Sequence, residues 1–320
     1  MPIKFARLNY VKTHDDIPIR FNVVKQDLES NLSWYIDRYN PLVITDCSIA
    51  GEVGVNVLLP LTELESLANT ERAKKIIVRT MECLISEDVE IVLPPSNISI
   101  DRMKGISVAD GTKLFPFLLC QAIKKWATLT QRDLRRCEAA IINDNFNLTN
   151  SILDHICSEL NFLTIVDLND DKDRLSDKAD RIFDDTGLNI IVRGKNKLAL
   201  KTADIVINTS SADFDTAYKR KAIVFDLSGD IERRKHLLVR RPDIQLFDGL
   251  VVNYKNTAIP LAMFEMALYL KNRHFRNITI NGYNPETGLA LSRVIKRLGL
   301  GVYSFTQLGQ IIKNDTIAKF

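Results

Sequence analysis

Short apolar runs alternate with segments of helical period along most of the chain, the rhythm of parallel strands joined by crossover helices. The fold class this predicts is α/β. In the first third, "NPLVITDC" and "VGVNVLLP" predict strands, "LTELESLANTERAKKIIVRTMECLI" one long amphipathic helix, and "VEIVLPP" the strand after it. "SVADGTKLFPFLLCQAIKKWATL" predicts a helix opened by Asp110, Gly111 and Thr112, with Leu114, Phe117, Leu118, Ala122 and Ile123 near 3.6-residue spacing. No linker rich in Gly, Pro or Ser marks a boundary, and the join is placed near residue 108.

From residue 137 the order is strand "EAAII", turn "NDNFNLTN", helix "SILDHICSEL", strand "FLTIVDL", helix "DKDRLSDKADRIFDDTG", then "NIIV", "ADIVINTS" and "AIVFDL". This is a Rossmann-type rhythm, and it predicts a parallel sheet from about residue 137 to 252 whose first strand is Ala139 to Ile142. The organisation expected is an N-terminal α/β domain over 1–108, a nucleotide-binding-type domain over 109–275, and a helical return segment over 276–320. Ligands of open α/β sheets lie at the carboxyl ends of the strands. Those ends carry Asn143, Asp167, Asn208, Thr209, Ser210 and Asp226, so a polar small molecule is expected there, in a cleft between the layers.

Composition changes little: the chain has 320 residues, 46% hydrophobic and 26% charged, with a net charge of +3. No strong field calls for nucleic acid or an anionic membrane. The five cysteines are scattered, without a CxxC, and the four histidines are isolated, so neither a disulfide framework nor a metal site is expected. An N-terminus without an apolar signal core, and the lack of any run near about 18 apolar residues, favour a cytoplasmic setting without membrane insertion. The segment 219–241 concentrates Lys219, Arg220, Lys221, Arg233, Arg234, Lys235, Arg240 and Arg241. It reads as a solvated face, or as a docking patch for an acidic protein; without interleaved aromatic rings it does not read as a nucleic-acid surface.

The order of "VADGTKLFPFLLCQAI", "ADIVINTSS", "AIVFDLSGD", "RPDIQLFDGLVVN" and "IPLAMFEMALYLKNR" resembles the fatty-aldehyde-forming acyl-carrier-protein reductases and the shikimate-dehydrogenase-like Rossmann oxidoreductases, over about residues 50 to 300. The resemblance implies NAD(P), a glycine-rich turn after the first nucleotide strand, and, in the reductases, an acyl-accepting cysteine near the returning helix. This chain departs from both patterns. Mapped onto the turn, Asn143, Phe146 and Thr149 stand where small residues belong, and Phe146 would obstruct the pyrophosphate. "PLAMFEMALYL" has no cysteine, and none follows Cys157, so that thiolate is missing.

The expectation is therefore a pseudoenzyme: a non-catalytic ligand- or partner-binding protein with an eroded dinucleotide turn and no cofactor. The alternative is an NAD(P)-dependent oxidoreductase acting on an acyl thioester or a shikimate-like hydroxy or keto acid. Asn143, Asn145 and Asn147 tolerate left-handed backbone and offer amides, and with Asp167, Asn208, Thr209 and Ser210 they are the candidate cofactor-binding residues. Thr149 or Asn150 is expected to cap a helix opening at Ser151. Candidate catalytic residues are Cys47, at the end of "PLVITD", and Lys113 with Asp110 or Asp248 as a proton-moving pair. The bland reading of that pair is a capping Asp110 beside a solvated Lys113.

Overall fold

The computed structural model describes residues 4–12, 43–49, 51–68, 71–95, 105–156, 160–195 and 197–319. The chain divides into two compact units, 1–110 with 266–271, and 111–265 with 272–320.

In unit 1 the described elements are β1 (Phe5–Tyr10), β2 (Val43–Ile49), β3 (Glu52–Leu59), α1 (Glu63–Leu67), α2 (Glu71–Ser86), β4 (Ile91–Leu93) and β5 (Ser107–Val108). They form a five-stranded sheet in the order β2-β3-β1-β4-β5, parallel except for the edge strand β2. Strand β1 runs through its centre and was not anticipated; only Phe5, Ala6 and Leu8 are fully buried in a stretch that also carries Arg7 and Asn9. Opposite Phe5 the sheet has Gly54, where a Cβ would lie 2.4 Å from the Phe5 ring. The single long helix expected after β3 is two. Thr62 and Glu65 close a capping box at the start of α1, which ends at Ala68. Helix α2 then buries Ala73, Ile76, Thr80, Met81 and Leu84, one stripe at helical spacing.

Unit 2 begins with α3 (Phe115–Thr130). It opens later than expected: Gly111 has φ +86°, so Asp110 to Thr112 turn ahead of the helix, and Pro116 sits in its first turn, where no N–H is needed. Next come β6 (Glu138–Asn143), α4 (Phe146–Leu153), β7 (Phe162–Asp167), α5 (Lys172–Thr186), β8 (Asn189–Arg193), α6 (Leu198–Thr202), β9 (Ile205–Asn208), β10 (Ile223–Asp226), α7 (Ile231–Arg240) and β11 (Gln245–Phe247). Their sheet has the order β8-β7-β6-β9-β10-β11, and every pair is parallel. Counted from β6, that is the 3-2-1-4-5-6 order of the dinucleotide-binding fold. Apolar runs such as Ala139–Ile142, Ile205–Ile207 and Ile223–Phe225 are fully buried because helices need both faces.

The parallel sheet stops at Phe247, not near 252. Strand β12 (Gly249–Tyr254) belongs instead to an antiparallel sheet with β13 (Thr257–Pro260), β14 (Gly301–Gln307) and β15 (Gln310–Ile312), in the order β13-β12-β14-β15. Between these strands run α8 (Leu261–Lys271), α9 (Arg273–Asn281) and α10 (Pro285–Leu298), and α11 (Asn314–Ala318) follows. The segment 276–320, expected as helices, thus also supplies two strands. "GVYSFTQ" alternates only weakly, and it becomes a strand because β12 offers a free edge.

Candidate functional site at the sheet's carboxyl edge

Four adjacent strands of the parallel sheet, β7, β6, β9 and β10, end in Asp167, Asn143, Asn208 and Asp226, all buried. Each asparagine amide donates to the aspartate on its outer side. Asn143 Nδ2 reaches Asp167 Oδ1 at 2.8 Å, and Asn208 Nδ2 reaches Asp226 Oδ1 at 3.1 Å. Asp167 also accepts the Asn169 N–H at 3.2 Å, and Asp226 the Ser228 N–H at 2.8 Å. Charge-assisted bonds of this kind hold carboxylates that burial would otherwise penalise.

The loop after β6 is shorter than expected. Asn145 caps α4, its side chain accepting from the Leu148 N–H at 3.0 Å, so the helix opens at Phe146 and not at Ser151. Thr149 and Asn150 are therefore interior to the helix and cap nothing. Only Asp144 and Asn145 connect strand to helix, and both are exposed. The Phe146 ring lies 3.6 Å beneath the guanidinium carbon of Arg174 from α5. Asn147 lines a different place, a pocket of about 950 Å³ flanked by α3, α4 and α10. Two polar atoms of this region are buried without a partner, Asn143 Oδ1 and Thr149 Oγ1.

The remaining candidates are spent on the protein's own hydrogen bonds. Thr209 Oγ1 donates to the Ile142 carbonyl at 2.7 Å and accepts the Asp144 N–H at 3.2 Å. Ser210 receives the Asn208 amide on its carbonyl at 2.8 Å and gives its N–H to Asn208 Oδ1 at 3.2 Å. Beside them lies a buried ionic network that the sequence reading missed. Arg233 bonds Asp226 at 3.2 Å, the Ser210 carbonyl at 3.2 Å and the Tyr218 hydroxyl at 2.9 Å. Arg234 lies 3.5 Å from Asp226 and 3.8 Å from Asp248. The pattern of Asp226 ending a strand, with a capping Asp230 before "IERRKH", could have pointed to it.

These two arginines correct the reading of 219–241 as a solvated face. Much of the rest is neutralised: Lys219 pairs with Asp204, Lys235 with Glu232, Arg240 with Asp213, and Arg241 with Asp243.

Within unit 2, the candidates Asp248 and Lys113 are each engaged by other partners. Asp248 accepts the Thr306 hydroxyl at 2.8 Å and the Gly309 N–H at 3.3 Å, a structural anchor between the two sheets of unit 2. Lys113 is buried, not solvated, and its Nζ lies 3.4 Å from Oε1 of Glu265, which is fully buried. Asp110 is exposed. Cys47 lies within β2, opposite Gly54, and not past the strand's end; β2 is antiparallel to its neighbour, and burial pushes the thiol's pKa up. Of the other thiols, Cys137 is buried, also with a raised pKa, Cys120 is half-buried, and Cys157 lies outside the described residues. Among the described residues no group of His, Cys, Asp or Glu is arranged to hold a metal, and no helix is long and apolar enough to cross a membrane.

No protein-family model and no curated protein matches the chain. Solved structures that align include shikimate 5-dehydrogenase from Listeria monocytogenes in complex with shikimate and NAD, at 11% identity and a TM-score of 0.34, covering 92% of this chain and 96% of that one. The NAD-dependent malic enzyme from Thermotoga maritima aligns at 12% identity and a TM-score of 0.33, covering 99% and 84%. The L-tryptophan dehydrogenase from Nostoc punctiforme aligns at 11% and 0.33, covering 99% and 86%. Likeness at this level transfers no activity to this chain. The Rossmann assignment rests on the strand order itself.

Proposed function

We propose that this protein binds a polar, hydrogen-bonding small molecule at the carboxyl edge of its six-stranded sheet and carries out no NAD(P)-linked redox step. One observation carries the reading: the Asn143 side chain donates to Asp167 at 2.8 Å. In a dinucleotide domain the first turn is bare backbone close to the pyrophosphate, and an acid about 20 residues on takes the ribose hydroxyl. Here a side chain fills the first place and is bonded to the acid standing at the second. The Phe146 ring under Arg174 supports the same reading, because it replaces a small residue at the mouth of the helix. An edge of amides, hydroxyls and carboxylates suits a ligand rich in donors and acceptors over a bare acyl chain.

A second reading, an NAD(P)-dependent oxidoreductase acting on an acyl thioester or a shikimate-like hydroxy or keto acid, is favoured by the buried Lys113–Glu265 pair. Hydride transfer to a carbonyl needs a partnered proton donor of this kind. Buried ion pairs are also common as structure, so this observation ranks below the first.

Calorimetry with NADH and with NADPH separates the two. The first reading expects millimolar affinity or none for the unaltered protein. It also expects a gain in Asn143→Gly combined with Phe146→Gly, which frees Asp167 and removes the ring. Micromolar binding by the unaltered protein moves the conclusion to the second reading, under which Lys113→Met abolishes turnover and keeps cofactor affinity.

A further inference from the structure

The pocket of about 950 Å³ flanked by α3, α4 and α10 lies wholly within unit 2, and it shares no lining residue with the row Asn143, Asp167, Asn208 and Asp226. Where helices face one another, the facing stripes are ordinarily apolar and close the gap. Here they are polar or small. On α4, Asn147, Asn150 and Ser151 fall at i, i+3 and i+4, and the turn after the helix continues the same face with Asp154 and His155 at i+7 and i+8. On α10, Gly288, Ser292 and Lys296 recur every fourth residue. Helix α3 packs on α4, and α10 packs on α9. The space between the two pairs stays open, with a size within the range of about 300–1,000 Å³ usual for small-molecule sites.

Three features of the lining define what fits. Three rings form a row: the Phe117 centroid lies 4.8 Å from that of His155 and 6.2 Å from that of Tyr283, and the Tyr283 hydroxyl is anchored by donating to the Lys113 carbonyl at 2.6 Å. Burial lowers the His155 pKa, so that ring is neutral at pH 7. Ser151 is only 8% exposed, and its hydroxyl has no hydrogen-bond partner among the described residues, a cost that a polar group of a ligand would remove. The charges of the lining do not cancel: Asp154 is paired with Lys178 of α5, whereas Lys296 has no ion pair among the described residues. What remains is one cation beside a row of rings. We infer that this pocket binds a small organic anion with a flat aromatic body, the rings of Phe117, His155 and Tyr283 taking the body, Ser151 a polar substituent and Lys296 the anionic group. Gly288 and Ser292 leave the room such a body needs, and no atom lies within 4 Å of where a Gly288 Cβ would stand. A bare alkyl chain would leave the amides and hydroxyls of the lining unbonded. This inference is independent of whether a dinucleotide binds at the sheet's edge.

Titration of the full chain with 8-anilinonaphthalene-1-sulfonate, an aromatic anion whose fluorescence rises on leaving water, tests it. The expected result is saturable binding at one site per chain, with the neutral counterpart N-phenyl-1-naphthylamine weaker by about tenfold or more. Lys296→Glu, at an exposed position, weakens binding of the anionic dye by about tenfold or more, and Lys296→Arg keeps it. Lys195→Glu, an exposed lysine outside the pocket, leaves it unchanged. Ser292→Trp fills the pocket and abolishes binding. Bound dye also slows alkylation of Cys120, which lines the pocket, and not that of exposed Cys83 in unit 1, read peptide by peptide by mass spectrometry. Absence of saturable binding overturns the proposal. So does binding indifferent to Lys296→Glu and to Ser292→Trp, and so does a Cys120 left unprotected at saturation. Circular dichroism on each variant distinguishes a lost site from a lost fold.

Discussion

His155 stands against Phe117, ring centroids 4.8 Å apart, and burial lowers its pKa; Lys296 pushes the same way, while Asp154 opposes both. A histidine whose folded pKa lies below its unfolded value of 6.5 binds fewer protons folded than unfolded in the interval between the two. Stability therefore rises with pH through that window, and it is lost as pH falls from about 6.5 toward the folded pKa. Glu52, bonded by Lys271 and Lys4, and Asp243, bonded by Arg241, have lowered pKa values and lose their stabilisation only further down, below their ordinary 4.5 and 3.8. Urea midpoints between pH 7.5 and 5 should thus decline in the unaltered protein, and His155→Gln should flatten that decline. A midpoint unchanged over this range would show that His155 titrates alike folded and unfolded. At this scale the sequence supplied residue types but not partners. Lys113 looked like a solvated lysine because Glu265 is 152 positions away.

Helix α4 shows what capping decides at the scale of one element. "NDNFNLTN" offers six residues of capping type, Asn143, Asp144, Asn145, Asn147, Thr149 and Asn150, and Asn145 wins because β6 ends at Asn143 and leaves only two residues of connection. Asn145→Ala should cost about 1 kcal/mol of stability by the loss of that cap. Gly288, inside α10, has no atom within 4 Å of where a Cβ would stand. Gly288→Ala should therefore stabilise the protein by about 0.5–1 kcal/mol. Denaturant melts of the two variants, shifting in opposite directions, check both. The same physics explains the expected long helix that proved to be two: "LTELESL" carries its own capping box, an internal start signal that the continuous apolar period concealed.

At the scale of the whole molecule, Arg234 and Asp248 join the parallel sheet to the antiparallel one within unit 2. Arg234 Nη2 donates to the Asp226 carbonyl at 3.2 Å, its Nη1 lies 3.8 Å from Asp248, and Asp248 in turn holds Thr306 of β14. Gln245 adds a neutral link, accepting from Trp126 Nε1 at 3.2 Å and donating to the Ile317 carbonyl at 3.3 Å. Removing one partner from a buried ionic network leaves uncompensated charge. Arg234→Leu should lower stability by about 3 kcal/mol, read as a fall in the urea midpoint, whereas Arg240→Leu, in an exposed pair, should change it by about 0.5 kcal/mol or less.

What the sequence by itself determined is the alternation of fully apolar strands with amphipathic helices from residue 138 onward, because burial on both faces demands continuous apolar runs and crossovers demand helix-length segments. It also determined that polar residues end those strands, and that no glycine opens the first turn. Tertiary structure decided the rest. It set the strand order and turned 301–312 into two strands, since a strand of weak pattern forms where a neighbour offers an edge. It also turned the listless row of Asn143, Asp167, Asn208 and Asp226 into two bonded pairs, and took Arg233 and Arg234 out of an apparent surface patch. Pairings between residues far apart in the chain depend on how the sheet brings strand ends together, and local periodicity carries no record of that.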